Sequence, residues 1–357
     1  MDKTNQPQTP FSCAYSPSLP QLLLELNCTI ALTTFQVGKL ILISATDENN
    51  LTQYLRNFDS AMGLAIDERR LAIATKDEVI VLADASRLAP QFPAKPKTFD
   101  ALYAPQAIYP VGMLDIHDLD WDKNGQLWAV NTNFSCLSVI DDHYSFRPKW
   151  FPPFIKQFNS GDSCHLNGMT MVDGSPRYVT MFAASTTPEG WRQTMETSGL
   201  IMDISTNEIV TQNLPMPHSP RWFDGSLYCL LSATGELVKV DTDTGKYDVV
   251  ARFNGFVRGL AKYGDYVFVG LSRLRGDVSA FKDLPIAKRS VYCGVEVIHL
   301  PTGKKVGQLR YQSTVDELYD IQIIPKRRPM ILNHLTSDYR KVLNTPYTDL
   351  WLNKETR

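Results

Sequence analysis

"MGLAIDERRLAIATKDEVIVLAD", residues 62–84, and "HDLDWDKNGQLWAVNTNFSCLSVID", residues 117–141, read alike. Each is a strand, a tight turn, a second strand, a loop and a third strand. The apolar residues alternate, and Asp, Asn or Gly stands where the chain must reverse, as strands and turns require. The same order returns in 167–182, running on into "GLIMDI", in 220–241 and in 258–272, which is followed by "CGVEVIHL". A sixth unit opens at "YDIQIIP", 319–325, and the C-terminal sequence does not finish it. Its missing strands stand at the other end, in "CTIALTTFQVGKLILISA", 28–45. This arrangement predicts an all-β fold, a six-bladed β-propeller whose last blade is closed by N-terminal strands. Ring closure of this kind leaves few exposed sheet edges. The expected organisation is an N-terminal tail or short helix over 1–27, the propeller over 28–335 and a C-terminal tail over 336–357.

Composition narrows the function classes. The chain has 357 residues, 43% of them hydrophobic, and a formal charge of −2, enough apolar content for a large core and no basic footprint for nucleic acid. No run of about eighteen apolar residues suggests a membrane span, and the N-terminus lacks the pattern of a secretory leader. The six cysteines contain no CxxC pair, which fits reduced thiols. These features lead to the expectation of a cytoplasmic protein with neither nucleic-acid nor membrane partners, and with no nucleotide cofactor.

In a propeller the inner strands begin at one mouth of the central channel. Aligning the units puts Met62, His117, Asn167, Pro220, Arg258 and Tyr319 at the strand starts, with Gly63, Asp118, Gly168, Arg221, Gly259 and Asp320 next. Two residues upstream stand Ser60, Asp115, His165, His218, Phe256 and Glu317, so His165 and His218 are expected at one repeat position in adjacent blades. The polar residues expected at the mouth also include Asn131, Asn133, Arg273 and Arg275. Three long segments, 85–114, 142–164 and 183–198, are expected to cover the same mouth, the last contributing Trp191.

Histidine titrates near neutrality, so His165, His218 and His117 are candidate acids and bases, with Glu317 or Asp118 to orient a histidine or accept a proton. The same three histidines, with Asn167, are candidates for a divalent metal, Ca or Zn; the competing reading is a hydrogen-bonded wet channel. Arg221 and Arg258 offer paired donors to an anion, or else staple blades through Asp118, Glu317 or Asp320. Asn131, Asn167, Arg273, Trp191 and Asp320 complete the expected ligand contacts. Cys164 reads as a buried thiol, and Trp121, Trp128 and Trp222 as core.

The inner-strand pattern resembles the calcium-dependent six-bladed propellers of the gluconolactonase, senescence-marker and strictosidine-synthase type. "HLNGM" is similar to their "PNG" strand start, whose Asn is a metal ligand, which implies that role for Asn167. Where those proteins place Asp before Gly at a later strand start, this chain has Pro220-Arg221 and Arg258-Gly259. "VNTNFSCL", "KWFPPFI", "CHLNGM", "GWR", "MPHSPRW", "GFVRGLA", "VGLSRLR", "CGVEV" and "ELYDIQIIP" together resemble a bacterial propeller family, frequent in cyanobacteria and catalogued as a domain of unknown function. That resemblance implies the fold and no particular reaction. The residues themselves favour an enzyme acting on a small anionic or polar metabolite in the channel, by hydrolysis, isomerisation or lyase/condensation chemistry, with a place in specialised metabolism. The alternative is a non-catalytic module that holds a peptide or partner protein.

Overall fold

A computed structural model describes residues 9–274, 281 and 283–352. Six sheets form the blades of a six-bladed β-propeller. Blade 1 runs from its inner strand outward through Leu64–Ile66, Arg70–Ala74, Glu78–Asp84 and Ala101–Pro110. Blade 2 uses Ile116–Trp121, Leu127–Asn131, Cys136–Val139 and Arg147–Trp150. The inner strands of blades 3, 4 and 5 are Leu166–Val172, Pro217–Phe223 and Phe256–Tyr263.

Blade 6 joins the two ends of the chain. Its inner strand is Ile321–Ile324, which pairs antiparallel with Thr29–Thr34, followed outward by Lys39–Ala45 and Leu51–Asn57. The two expected segments therefore share one sheet. Outside the blades, Cys13–Tyr15 adds a fifth strand to blade 5, and the helix Ser18–Glu25 packs Leu19, Leu22 and Leu23 into the core between blades 5 and 6. At the other end, Pro329–Ile331 adds a parallel strand to blade 1, and a hairpin of Val342–Asn344 with Asp349–Trp351 packs Trp351 against Phe92.

Side chains such as Leu40, Leu42, Leu71 and Ile73, all at 0% exposure, fill the space between blades 6 and 1. Each such residue contributes about 1.5–3 kcal/mol by leaving water. Near the axis there is no room for that packing. A Cβ on Gly63 would lie 3.0 Å from the Asp118 backbone, and one on Gly259, where φ is +80°, would lie 2.9 Å from the Ile321 amide. Glycine at these positions lets neighbouring inner strands approach.

Strand parity corrects the expected loop layout. The inner strand starts at the mouth, so the loop from second to third strand also opens there, while third-to-fourth connections lie on the opposite face. Residues 85–100 connect the third and fourth strands of blade 1 and so lie opposite, and 101–110 are a strand rather than loop. Residues 140–146 lie opposite as well. The mouth carries 151–165, 183–198 and 273–292, the last only partly within the described residues. Arg275 lies outside the described residues.

Candidate functional site

The inner strands of blades 2 to 5 each carry a register shift near the mouth, and it sets the register of the site. Ile116 pairs with Asn131, Leu166 with Met181 and Pro217 with Leu231. The residues just before them, Asp115, His165 and Met216, all have positive φ: 55°, 50° and 55°. His165 is therefore the counterpart of Asp115, as expected, but not of His218. The counterpart of His218 is His117. Each follows the first paired residue, and each ring Nδ1 meets a hydroxyl of the residue just past the second strand, Ser232 at 2.7 Å and Thr132 at 2.8 Å. Both strands carry a one-residue bulge here, and the blade 4 inner strand begins at Pro217, three residues before the Pro220 of the sequence alignment.

Those hydroxyls fix the imidazole tautomers. Ser232 donates its single proton to the Val257 carbonyl at 2.6 Å, and Thr132 donates to the Leu166 carbonyl at 2.6 Å. The Nδ1 atoms of His218 and His117 must then donate, and each neutral ring keeps a lone pair on Nε2. His165 Nδ1 is fixed differently, by donating to the Asp162 carboxylate at 2.7 Å. Asp162 also takes the His165 amide and the Trp191 indole N–H, at 2.8 and 2.9 Å. Burial pushes the His117 pKa down to about 4, partly opposed by Asp115. Burial, reinforced by Arg258, holds His218 well below the usual imidazole range.

The channel has two tiers. In the inner tier, Arg221 grips Asp118 with both terminal nitrogens, Nη1 to Oδ2 at 2.8 Å and Nη2 to Oδ1 at 3.2 Å. It also donates to the Met169 and Leu260 carbonyls and lies 3.7 Å from Asp320 Oδ1. Asp118 accepts the Met169 amide, and Asp320 accepts the Leu64 amide. One guanidinium and two carboxylates thus link all six blades. Burial works against the Arg221 charge, but Asp118 and Asp320 outweigh it and raise its pKa. Burial pushes the Asp320 carboxyl up. Arg221, Asp118 and Asp320, expected at the ligand, form this knot.

Above it, a cavity of about 730 Å³ opens at the mouth. Its lining includes Asp115, His117, Asp162, His165, Trp191, Arg258, Glu317 and Tyr319. Arg258 pairs with Glu317 at 3.1 Å and lies over the Tyr319 ring at 4.5 Å. The His165 ring is sandwiched by Trp191 and Phe182, at centroid distances of 4.2 and 4.4 Å, and meets His117 edge-on at 4.8 Å. Between the tiers, His117, Asn167, His218, Arg258 and Tyr319 border a space of about 10 Å³, near the minimum for one water molecule.

Several expected contacts fall elsewhere. Asn131 accepts the Phe134 amide and holds a turn, and Arg273 pairs with Asp316 at 3.4 Å; neither lines the cavity. The three histidines do not assemble a metal site. Among the described residues no group of three or more His, Cys, Asp or Glu has the geometry to hold an ion. Asn167 Oδ1 accepts the Thr180 hydroxyl at 2.7 Å, and its amide nitrogen has no hydrogen-bond partner among the described residues. The carboxylates at its level face Arg221, so the residues present do not fit the calcium site that the resemblance implies. Cys164 is buried, and burial pushes its thiol up to about 12, as befits a structural residue.

Asp162 escaped the sequence reading. It sits in the 151–165 loop, which has no periodicity. The signal that could have found it is its spacing, three residues before His165. Asn133 ties that loop down, its carbonyl accepting the amides of Gly161 and Asp162 at 2.9 and 3.0 Å.

The fold and its mouth cavity define a six-bladed propeller with a pocket over a closed axial knot. By sequence, the chain belongs to the family described as domain of unknown function DUF4915, whose model matches residues 17–332. No curated protein matches it. Among solved structures it is similar in fold to a chain in the crystal structure of a nidogen/laminin complex, at 12% identity and a TM-score of 0.55, covering 84% of this chain and 99% of that one. Among the described residues no helix is long and apolar enough to cross a membrane.

Proposed function

We propose that the chain is an enzyme that performs acid–base chemistry on a small polar metabolite held in the mouth cavity. The observation that carries this reading is the His165–Asp162 pair on the cavity wall. A carboxylate at 2.7 Å fixes the proton on Nδ1 and stabilises the imidazolium that forms when Nε2 takes a proton. The cavity is also of small-molecule size. His165 is the base, Asp162 its positioning residue, Trp191 the wall that orients the ring, and Arg258 the anchor for an anionic or polar group. His117 stands beside His165 as a second proton acceptor. The chemistry spans hydrolysis, isomerisation and lyase or condensation reactions.

The test is turnover of a defined mixture of small esters, lactones, hydroxy acids and amino acids, followed by mass spectrometry. The expected result is conversion of at least one component by the native chain, lost in His165→Asn and in Asp162→Asn. Retention of a component on the protein without conversion would instead favour a non-catalytic binding module.

A further inference from the structure

We infer that the ligand of the mouth cavity carries a protonated amine, taken by Asp115; this rests on the cavity being the ligand site. The cavity wall holds four carboxylates, Asp115, Asp162, Glu189 and Glu317, against two guanidiniums, Arg192 and Arg258. Three of the carboxylates have partners: Asp162 holds His165, Glu189 pairs with Arg192 at 2.9 Å, and Glu317 pairs with Arg258. Asp115 is left over. Among the described residues no Lys or Arg lies within ion-pair distance of it. Its nearest basic group is His117 Nδ1 at 3.7 Å, on a ring that burial keeps neutral.

The backbone of Asp115 is held at a φ of 55°, and its side chain is 48% exposed, facing a cavity rather than buried in a network. Aromatic groups line the same space: Phe35 and Tyr319, 6.4 Å apart, and Trp191. Tyr319 is nine-tenths buried, and its hydroxyl has no hydrogen-bond partner among the described residues. A surplus carboxylate beside aromatic faces suits an ammonium group, which gains from both the charge and the ring quadrupoles. An ammonium also supplies the donor that the Tyr319 oxygen can accept. Arg258 serves the opposite end of the molecule, so a zwitterion of amino-acid size satisfies both.

The experiment uses three probes of one shape on the full chain: benzylamine, benzyl alcohol and benzoate, measured by calorimetry at pH 7. Benzylamine is expected to bind at least about tenfold more tightly than the neutral benzyl alcohol, the scale of one charge-assisted contact, while benzoate reports on Arg258. Asp115→Asn, which the positive φ tolerates, is expected to remove about that tenfold for benzylamine and leave benzyl alcohol unchanged. Benzylamine binding no more tightly than benzyl alcohol, or a benzylamine affinity unmoved by Asp115→Asn, would overturn the amine assignment while leaving the cavity as the ligand site. Failure of all three probes to bind would overturn the cavity reading, and this inference with it.

Discussion

Arg221 and Arg258 both come from inner strands, and both side chains are 13% exposed. Their surroundings differ. Arg221 spends its donors on Asp118 and on the Met169, Leu260 and Pro220 carbonyls. Arg258 makes one 3.1 Å contact with Glu317, whose side chain is 34% exposed, and its buried Nε has no hydrogen-bond partner among the described residues. Equal burial therefore does not mean equal role. A guanidinium with saturated donors holds the ring closed. One with donors to spare, on the wall of a cavity, is available to a ligand.

The sharpest way to break this contrast is to remove the partner of Arg221. Asp118→Ala leaves the guanidinium with a carboxylate at 3.7 Å and frees the Met169 amide. Breaking such a buried pair is expected to cost about 3–5 kcal/mol, read from denaturant unfolding. A loss under about 1 kcal/mol would mean that the knot does not hold the ring.

A second effect should appear on acidification. His117 titrates at about 4 in the folded chain, below its ordinary value of 6.5. Between those values the unfolded chain binds a proton that the folded one refuses. The stability from this group is thus full above about 6.5 and is lost as pH falls towards 4. The shift is worth about 3 kcal/mol. Burial acts oppositely on the carboxyls of Asp320 and Asp120, raising them, so their contribution runs the other way over the same range. The measurement is therefore a difference: His117→Asn should lose less stability than the native chain between pH 6.5 and 4.5. Identical pH profiles would show that His117 is not held neutral.

Gly259→Ala should cost about 1–3 kcal/mol, because a Cβ there meets the blade 6 backbone at a φ of +80°. Thermal melts test it, and a neutral effect would mean that the inner strands are less tightly drawn together than described. Smallest on stability should be Asp162→Asn, about 1 kcal/mol, since the asparagine fills the same space and keeps a side-chain oxygen that can accept the His165 amide. Its effect on turnover should be large, so parallel losses in stability and activity would count against a positioning role.

The propeller was legible because blade strands alternate apolar and polar residues and end in turn chemistry that local sequence displays. Blade closure followed from counting which strands were missing. What failed was register. Starting the blade 4 unit at Pro220, when its inner strand begins at Pro217, hides the equivalence of His117 and His218. The strand 101–110 read as loop because Pro105 and Pro110 argue against a strand, although proline is tolerated in an outer one. Arg221 could be named but not assigned, since its partners, Asp118 and Asp320, lie 103 and 99 positions away in sequence. The same holds for the surplus charge at Asp115, which is visible only when the other carboxylates have found their partners.

The most direct measurement compares Arg221→Met with Arg258→Met in one unfolding experiment at pH 7, without ligand. Methionine keeps much of the apolar stem and removes the charge. The account predicts that Arg221→Met loses at least about 2 kcal/mol more than Arg258→Met, because it strands two buried carboxylates while the other frees one part-exposed glutamate. Equal losses, or a larger loss from Arg258→Met, would contradict the division of the channel into a structural knot and a ligand-facing mouth.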